Sequence, residues 1–593
     1  MPDRYRHDFL PKLKKYRIDE RLYVLIIAGV IGLLGGYGAV LFRFVIKIAQ
    51  YGFYRNSNDI LTFAHQLSPY TIIFIPAIGG LIVGFLVYFG AREAKGHGVP
   101  EVMEAIALRD GRIRKRVAAV KIAASAVCIG SGGSVGREGP IVQIGSSLAS
   151  TINQLIDMPG IHHRTMVGCG AAAGIAATFN APIAGVLFAL EVLLGDFGVA
   201  SFSPVVLSSV TATIISRHYL GDFPAFVIPP YNLNSLWEFA FYPFLGAMAG
   251  LVGILFILIL YKTEDLFDVL PIPEWLKPAL GGLMLGLILS KWPHVFGVGY
   301  GAINDALLNK LPGLFLALLV LLKIVATSVT LGSGGSGGIF APSLFIGSML
   351  GGAFGCLANT LFPGIPASPG AYALVGMGAV VAGTTHAPIT AILIIFEMSS
   401  DYKIILPMMI TCILSSIITI SLNKGSIYTI KLLRRGIDIA GGMEQNILRT
   451  LKVGEIMTRD VPKVPESMNL FNLINTFKTM AVSYLHVVNI QGELTGIISF
   501  RDLRPLLEEY ALHDLVVAKD VASEHVVTVT PDMNILEALH LMSERGISQL
   551  PVVPTGDSRK VIGTLRDKDV IAAYDKAVIR HEIRGSESIA SKP

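Results

Sequence analysis

Apolar residues run almost unbroken from Leu22 to Ile48, and further apolar stretches recur near 71–90, 117–129, 165–194, 203–216, 237–261, 278–290, 313–331, 345–362, 371–398 and 404–422. Beyond residue 442 the pattern changes to short β-branched runs alternating with amphipathic helical patterns such as Ile535 to Arg545. The first pattern predicts a polytopic α-helical membrane domain and the second a small α/β module. Several apolar stretches are too short to cross a bilayer core of about 30 Å as plain helices. They are expected to be broken or re-entrant, and irregular backbone at that depth is tolerated only where protein or a water-filled cavity covers it. Interrupted segments therefore point to a path for a polar solute.

The membrane part repeats itself. Lys121 to Leu148 aligns without gaps on Lys323 to Leu350, with 15 of 28 positions identical. Ala181-Pro182-Ile183 and Glu191 match Ala387-Pro388-Ile389 and Glu397 at nearly the same offset. Duplication explains both, and solute sites in such proteins lie where the repeats meet. Similarity by itself does not say whether the halves are parallel or inverted.

Charge sharpens the division. Of the 91 Asp, Glu, Lys and Arg residues in 593, 54 lie in 1–442 and 37 in 443–593. Mean hydropathy is +0.61. These values argue against a simple soluble enzyme, a disordered chain or a disulfide scaffold. The four cysteines, Cys128, Cys169, Cys356 and Cys412, sit in apolar segments as inert thiols. No metal site is expected. An intramembrane metalloprotease would need H-E-x-x-H, whereas the only His-Glu pair, His581-Glu582, lies in the hydrophilic tail. The net charge of +5 gives no reason to expect nucleic acid. Arg4, Arg6, Lys12, Lys14, Lys15, Arg17 and Arg21 precede the first apolar stretch, and Lys431, Arg434 and Arg435 follow the last. By the positive-inside rule both termini are expected in the cytoplasm.

Gly130 to Pro140 (GSGGSVGREGP) crowds five glycines and a proline into eleven residues, too glycine-dense for a helix interior. Irregular backbone leading into a helix start is expected, where unpaired N–H groups and the helix dipole make an anion site. Gly332 to Pro342 supplies a second such segment. Neither reads as a nucleotide P-loop. Elsewhere, as in Gly246-x-x-x-Gly250, glycine is read as close packing. Glu138 is a carboxylate at membrane depth and marks a functional site. Its bland reading is an ion pair with Arg137; its sharper reading is a gate that occupies the anion's place and leaves when protonated or displaced.

Gly136-Arg-Glu-Gly-Pro140, Gly338-Ile-Phe-Ala-Pro342 and Gly96-His-Gly-Val-Pro100 together resemble the CLC family of chloride channels and chloride/proton antiporters, over about residues 20–435. The resemblance implies a homodimer in a bacterial inner or plasma membrane, one pore per subunit, and inverted-topology halves. It further implies an anion, chloride or a similar ion, held by backbone at Arg137, Glu138, Gly139, Ile339 and Phe340. Tyr428 fits the family's tyrosine hydroxyl, although alone it would read as an interface aromatic. Two departures matter. His97 stands where the family typically has an anion-binding serine; it is either a titratable group beside the anion or a turn residue facing away. Val192, after Leu190-Glu191, occupies the position where proton-coupled members usually carry glutamate. Adjacent Glu191 would lie about 100° around a helix. The expectation is therefore channel-like or weakly proton-coupled transport; the alternative is a chloride/proton antiporter with a different internal proton route.

The tail resembles a tandem pair of CBS domains, Ser483-Tyr-Leu-His-Val-Val488 recurring as Ser548-Gln-Leu-Pro-Val-Val553. Such pairs often bind adenine nucleotides (ATP, ADP or AMP). The first domain keeps Gly496, Ser499 and Asp502 for the ribose, whereas the second keeps Gly563 and Asp569 but has Arg566 in place of the hydroxyl. One site, or a purely structural module, is expected. The organisation reads as a basic N-terminus at 1–21 and a transmembrane anion-transport domain at 22–435, with repeats at about 70–216 and 240–422. A linker at 436–450, CBS modules at 451–509 and 515–578, and a polar tail at 579–593 complete it.

Overall fold

The computed structural model describes residues 20–56, 60–156, 158, 160–222, 226, 235–438, 448, 451–480, 482–507, 515–556 and 559–575. The N-terminal residues 1–19, most of the linker and the polar tail lie outside the described residues. Two compact units meet between Ile437 and Asp438.

In the membrane unit, the first half comprises α1 (Glu20–Tyr54), α2 (Pro69–Phe85), α3 (Val99–Leu108), α4 (Arg116–Gly130), α5 (Glu138–Leu155), α6 (Gly160–Phe179), α7 (Pro182–Leu187) and α8 (Val199–Leu220). A π-helical turn, Phe188–Leu194, extends α7. The second half comprises α9 (Phe241–Val269), α10 (Lys277–Lys291), α11 (Tyr300–Leu307), α12 (Gly313–Gly332), α13 (Phe340–Leu361), α14 (Pro369–Thr385), α15 (Pro388–Ser399) and α16 (Ile405–Leu422), with α17 (Thr429–Arg434) following. Among the described residues, seven helices are long and apolar enough to cross a membrane. The expected interruptions fall between α4 and α5 and between α12 and α13. There Gly132 and Gly334 adopt φ of 113° and 105°, conformations that a side chain would strain.

Glycine-mediated contact builds the unit, because lipid supplies little hydrophobic drive between helices and close van der Waals approach must supply it. On α1, a Cβ at Gly32 or Gly36 would sit 2.4 and 3.0 Å from the carbonyl oxygens of Ser208 and Ala212 on α8. On α9, Gly246 and Gly250 meet Thr411 and Ser415 of α16 in the same way, at 2.9 and 3.0 Å. The α1–α8 and α9–α16 pairs are thus equivalent, so the first repeat begins at Glu20 and not near residue 70. This part of the repeat is carried by spacing of small residues, without a shared motif.

The α2–α10 contact reveals the relation between the halves. Cβ atoms at Gly80 and Gly84 would lie 2.1 and 2.0 Å from the carbonyls of Pro278 and Trp275, and those at Gly282 and Gly286 would lie 2.1 and 2.2 Å from Pro76 and Ile73. As one number rises its partner falls, so these equivalent helices run antiparallel. Exchanging the halves returns the same contacts, and the repeats are inverted.

In the second unit, β1 (Lys463–Pro465) pairs parallel to β2 (Tyr484–Val488), which pairs antiparallel to β3 (Leu494–Ser499). Helix α18 (Leu470–Met480) packs Leu470, Leu473, Ile474 and Phe477 onto Leu485, Val487 and Ile498. That i, i+3, i+4, i+7 spacing forms one apolar stripe. The second module repeats the plan with α19 (Ile535–Arg545) and antiparallel β4 (Gln549–Val552) and β5 (Gly563–Arg566). The modules exchange their leading segments. Val453 lies in the second core, its N–H donating to Met533 O at 2.9 Å, and Ala518 lies in the first, its N–H donating to Met468 O at 2.8 Å. Each of the modules at 451–509 and 515–578 thus lends its first residues to the core of the other.

His486 is fully buried in β2, with Nδ1 3.2 Å from Pro462 O and Nε2 without a partner. Burial holds its imidazole below the usual range, against the raising effect of the Pro462 carbonyl and with a smaller lowering effect from Lys463. A histidine held neutral in the fold takes up protons on unfolding, so its stabilising contribution is present above about pH 6.5 and is lost as pH falls below it. The melting temperature of fragment 438–593 should therefore drop between about pH 7.5 and about pH 5.5. His486→Leu should flatten that slope, and equal slopes for both proteins would contradict this account.

Candidate anion pathway

Two helix starts are pinned together at the pseudo-two-fold axis. Gly136 N donates to Gly338 O at 2.7 Å and Gly338 N donates to Gly136 O at 2.6 Å, an antiparallel bridge between equivalent residues. Immediately beyond it, α5 follows its cap residue Arg137 and α13 follows Ile339. The first N–H groups of each helix lack intrahelical acceptors, and both positive dipole ends face one region. Glycine is required here: a Cβ at Gly139 would lie 2.1 Å from His97 O, and one at Gly338 would lie 2.7 Å from Gly139 N. Phe340, first in α13, packs its ring 5.6 Å from that of Phe179.

Glu138 lies between these starts with 1% of its surface exposed. Its Oε1 accepts a hydrogen bond from the Tyr300 hydroxyl at 3.2 Å, while Oε2 has no partner. A Cβ on Gly136 would fall 2.1 Å from that Oε2 and 3.2 Å from Ala341 N, which places the carboxylate against the α13 N-terminus. Arg137, the ion-pair partner of the bland reading, holds its guanidinium 5.3 Å above the Tyr300 ring.

Two buried lysines at equivalent positions organise the approach. Lys121 Nζ donates to Ala94 O and Gly96 O at 3.0 and 2.8 Å, and Lys323 Nζ donates to Val295 O and Gly297 O at 3.2 and 2.8 Å. Each fixes a G-x-G turn leading into a helix, with Gly98 (φ 82°) before α3 and Gly299 (φ 86°) before α11. Tyr300 was not legible as a site residue. Its signal is Gly297-Val-Gly-Tyr300 repeating the spacing of Gly96-His-Gly-Val99.

His97 and Tyr428 come together at the other end, with ring centroids 5.8 Å apart. His97 is 4% exposed and its Nδ1 has no partner, so the imidazole is turned toward the tyrosine and away from solvent. Tyr428 is positioned by its neighbour Ile427, whose N–H donates to Thr384 O at 2.8 Å and whose carbonyl accepts from the Tyr261 hydroxyl at 2.6 Å. An ion-pair network lies beside it. Lys431 pairs with Glu101 at 3.5 Å, Arg435 with Glu101 and Glu104 at 3.1 and 3.0 Å, and Arg109 with Glu104 at 2.5 Å.

Glu191 and Val192 sit elsewhere, in the π-helical turn after α7. The Glu191 carboxylate caps α15 from the opposite half, accepting from Ile389 N at 3.2 Å, Thr390 N at 2.7 Å and the Thr390 hydroxyl at 2.6 Å. Glu397 returns the contact, accepting from Ile183 N and Ala184 N of α7 at 3.0 and 2.7 Å. Glu191 is thus committed to helix capping, and Val192 offers no titratable atom.

In the CBS unit, Asp502 accepts from Ser499 N and the Ser499 hydroxyl at 2.7 and 2.8 Å, a capping arrangement that leaves Asp502 exposed and Ser499 half-buried. In the second module, Asp569 receives a bidentate pair from Arg566 at 2.6 and 3.0 Å. The donor set fits a ribose at the first module and not at the second, where the arginine already saturates the carboxylate.

Inverted halves, interrupted helices and a carboxylate seated between two helix N-termini define a membrane protein built around a small-anion path. The family described as voltage gated chloride channel matches residues 79–419, and the CBS domain matches 453–509 and 518–576. The chloride channel protein ClcB-like of Ralstonia nicotianae is 36% identical over 415 residues, covering 69% of this chain and 97% of that protein. Chloride channel protein CLC-f of Arabidopsis thaliana is 31% identical over 575 residues, covering 83% and 72%. A slow cyanobacterial Cl−/H+ antiporter superposes with a TM-score of 0.64 at 29% identity, over 70% of this chain and 98% of that one. A CLC-type fluoride/proton antiporter superposes at 0.58 and 25%, over 68% and 96%. The chain belongs to the voltage-gated chloride channel (CLC) family and carries a C-terminal CBS pair.

Glu191→Ala removes the acceptor for three donors at the start of α15. It should cost about 1–2 kcal/mol, as loss of a helix cap does, read as a lower thermal unfolding temperature in detergent. Glu397→Ala should produce a similar loss through α7. Unchanged unfolding in both variants would exclude the capping role.

Proposed function

We propose that each subunit of a homodimer moves chloride or a similarly small anion across the membrane through a path gated by Glu138, with both termini on the cytoplasmic side. The observation that carries this reading is the carboxylate itself, buried between two pinned helix N-termini with one oxygen unpaired. A buried charge is tolerated where dipoles and donors stabilise it, and an anion can replace it in the same field. Arg137, Glu138, Gly139, Ile339 and Phe340 would present backbone N–H groups to the anion. Gly139 admits the close approach of the His97 carbonyl, and the His97 and Tyr428 rings, 5.8 Å apart, would line the path beside the anion.

Proton coupling divides the reading. Val192 and the capped Glu191 support channel-like or weakly coupled transport. The second reading, a chloride/proton antiporter with another internal proton route, is favoured by the two solved relatives at 25–29% identity, both named as antiporters. In liposomes with an imposed chloride gradient, the first reading expects anion efflux with little proton uptake, and uphill proton movement at a fixed ratio would establish the second. In the same assay, Glu138→Gln should make anion flux nearly independent of external pH. Full wild-type pH dependence in that variant would remove Glu138 from the gate.

The CBS pair is proposed to bind one adenine nucleotide, through Ser499 and Asp502. Calorimetry on fragment 438–593 with ATP, ADP and AMP tests this. Asp502→Ala should weaken binding about tenfold to a hundredfold, the loss expected when hydrogen bonds to a charged acceptor disappear. Absent binding, or equal binding by the variant, would leave the pair a structural module.

A further inference from the structure

Tyr300 holds a position that the gate alone does not explain. It is the first residue of α11, set there by Gly299 at φ 86°, where a Cβ would lie 2.6 Å from the Phe345 ring. The turn before it is tied down by Lys323, whose ammonium donates to Gly297 O at 2.8 Å and lies 4.9 Å over the Phe345 ring. The phenol is gripped on two sides, by the Arg137 guanidinium at 5.3 Å and by the Phe226 ring at 5.2 Å in an edge-on arrangement. Its hydroxyl is then aimed at Glu138 Oε1, to which it donates at 3.2 Å, while no other described side chain bonds the carboxylate and Oε2 lies against the start of α13.

We infer that Tyr300 is a latch for the gate, a positioning residue whose hydroxyl keeps the Glu138 carboxylate in the anion's seat. The inference rests on Glu138 being the gate. A hydrogen bond from a neutral donor to an ionised acceptor is among the stronger ones in proteins, and inside a protein its loss is not made good by water. For the carboxylate to swing out, or an anion to displace it, this bond must break first. The rigid support of Tyr300 means that the hydroxyl stays behind when the carboxylate leaves. Reseating therefore finds its donor already in place. The other charged and titratable groups facing the pair are Arg137 at the cap of α5, Arg43 on α1, Lys323 on α12 and Tyr428 ahead of α17. Among them, the Tyr300 hydroxyl makes the side-chain hydrogen bond to the gate.

The test is a cycle of variants of the full chain in liposomes, read as chloride efflux. Tyr300→Phe keeps the ring between Arg137 and Phe226 and removes only the hydroxyl. Efflux at neutral pH should rise about tenfold to a hundredfold, the range expected for one hydrogen bond to a charged group. In a Glu138→Ala background the same substitution should change nothing, because the acceptor is gone. An equal change in both backgrounds, in either direction, would assign Tyr300 to packing and overturn the latch. No change in the native background would overturn it as well. Glu138→Ala that by itself leaves efflux and its pH dependence at native values would instead defeat the gate reading, so the two failures are told apart.

Discussion

The close approach of Gly136 to Gly338 is the constraint on which the membrane unit depends. Two reciprocal hydrogen bonds hold equivalent backbones together on the pseudo-two-fold axis, and they bring two helix N-termini to one place. Like dipole ends brought together repel unless negative charge lies between them. The arrangement therefore asks for an anion, and Glu138 supplies one from within the chain. In the proposed function this seat is filled either from solution or by the tethered carboxylate. Partial charges do this without the tight hold of a full cation, so the occupant can leave.

The duplication separates support from function. Lys121 and Lys323 bind equivalent turns, Glu191 and Glu397 cap each other's half, and Gly79 and Gly281 receive Ser131 and Ser333 in the same close fit. These repeated contacts make the scaffold. Where the halves diverge, the site acquires direction: Glu138 is equivalent to Phe340, Arg137 to Ile339, and His97 to Val298. Titratable chemistry thus falls at different ends of the path, although the backbone is nearly symmetric. The same principle operates in the soluble unit, where two equivalent modules exchange leading segments. Arg566 closes a carboxylate in one that its counterpart in the other leaves at the surface.

Reciprocal capping gives Glu191 a part in the fold, and the proposed weak proton coupling rests on it. Its carboxylate accepts three hydrogen bonds from the start of α15, and each fixes its orientation. A relay must accept and release a proton while moving between partners. A group bound on both oxygens at a helix end serves the fold instead.

Periodicity, glycine density and internal repetition in the sequence determined the membrane and soluble parts, the duplicated halves, the two interrupted segments and Glu138 as an anomalous carboxylate. Each is a property of local spacing or composition, which folding cannot hide. Three matters were decided by tertiary structure because they depend on residues far apart in the chain. The inversion of the halves follows from which carbonyl each glycine of α2 and α10 meets. The role of Glu191 follows from an acceptor and donors about two hundred residues apart, and its neighbours in sequence do not indicate it. Tyr300 entered the site because a left-handed glycine, a buried lysine and a crossing between halves aim one hydroxyl at Glu138 across 162 positions of chain. A single-residue signal in a short turn becomes legible only when the fold brings its partner within hydrogen-bonding distance.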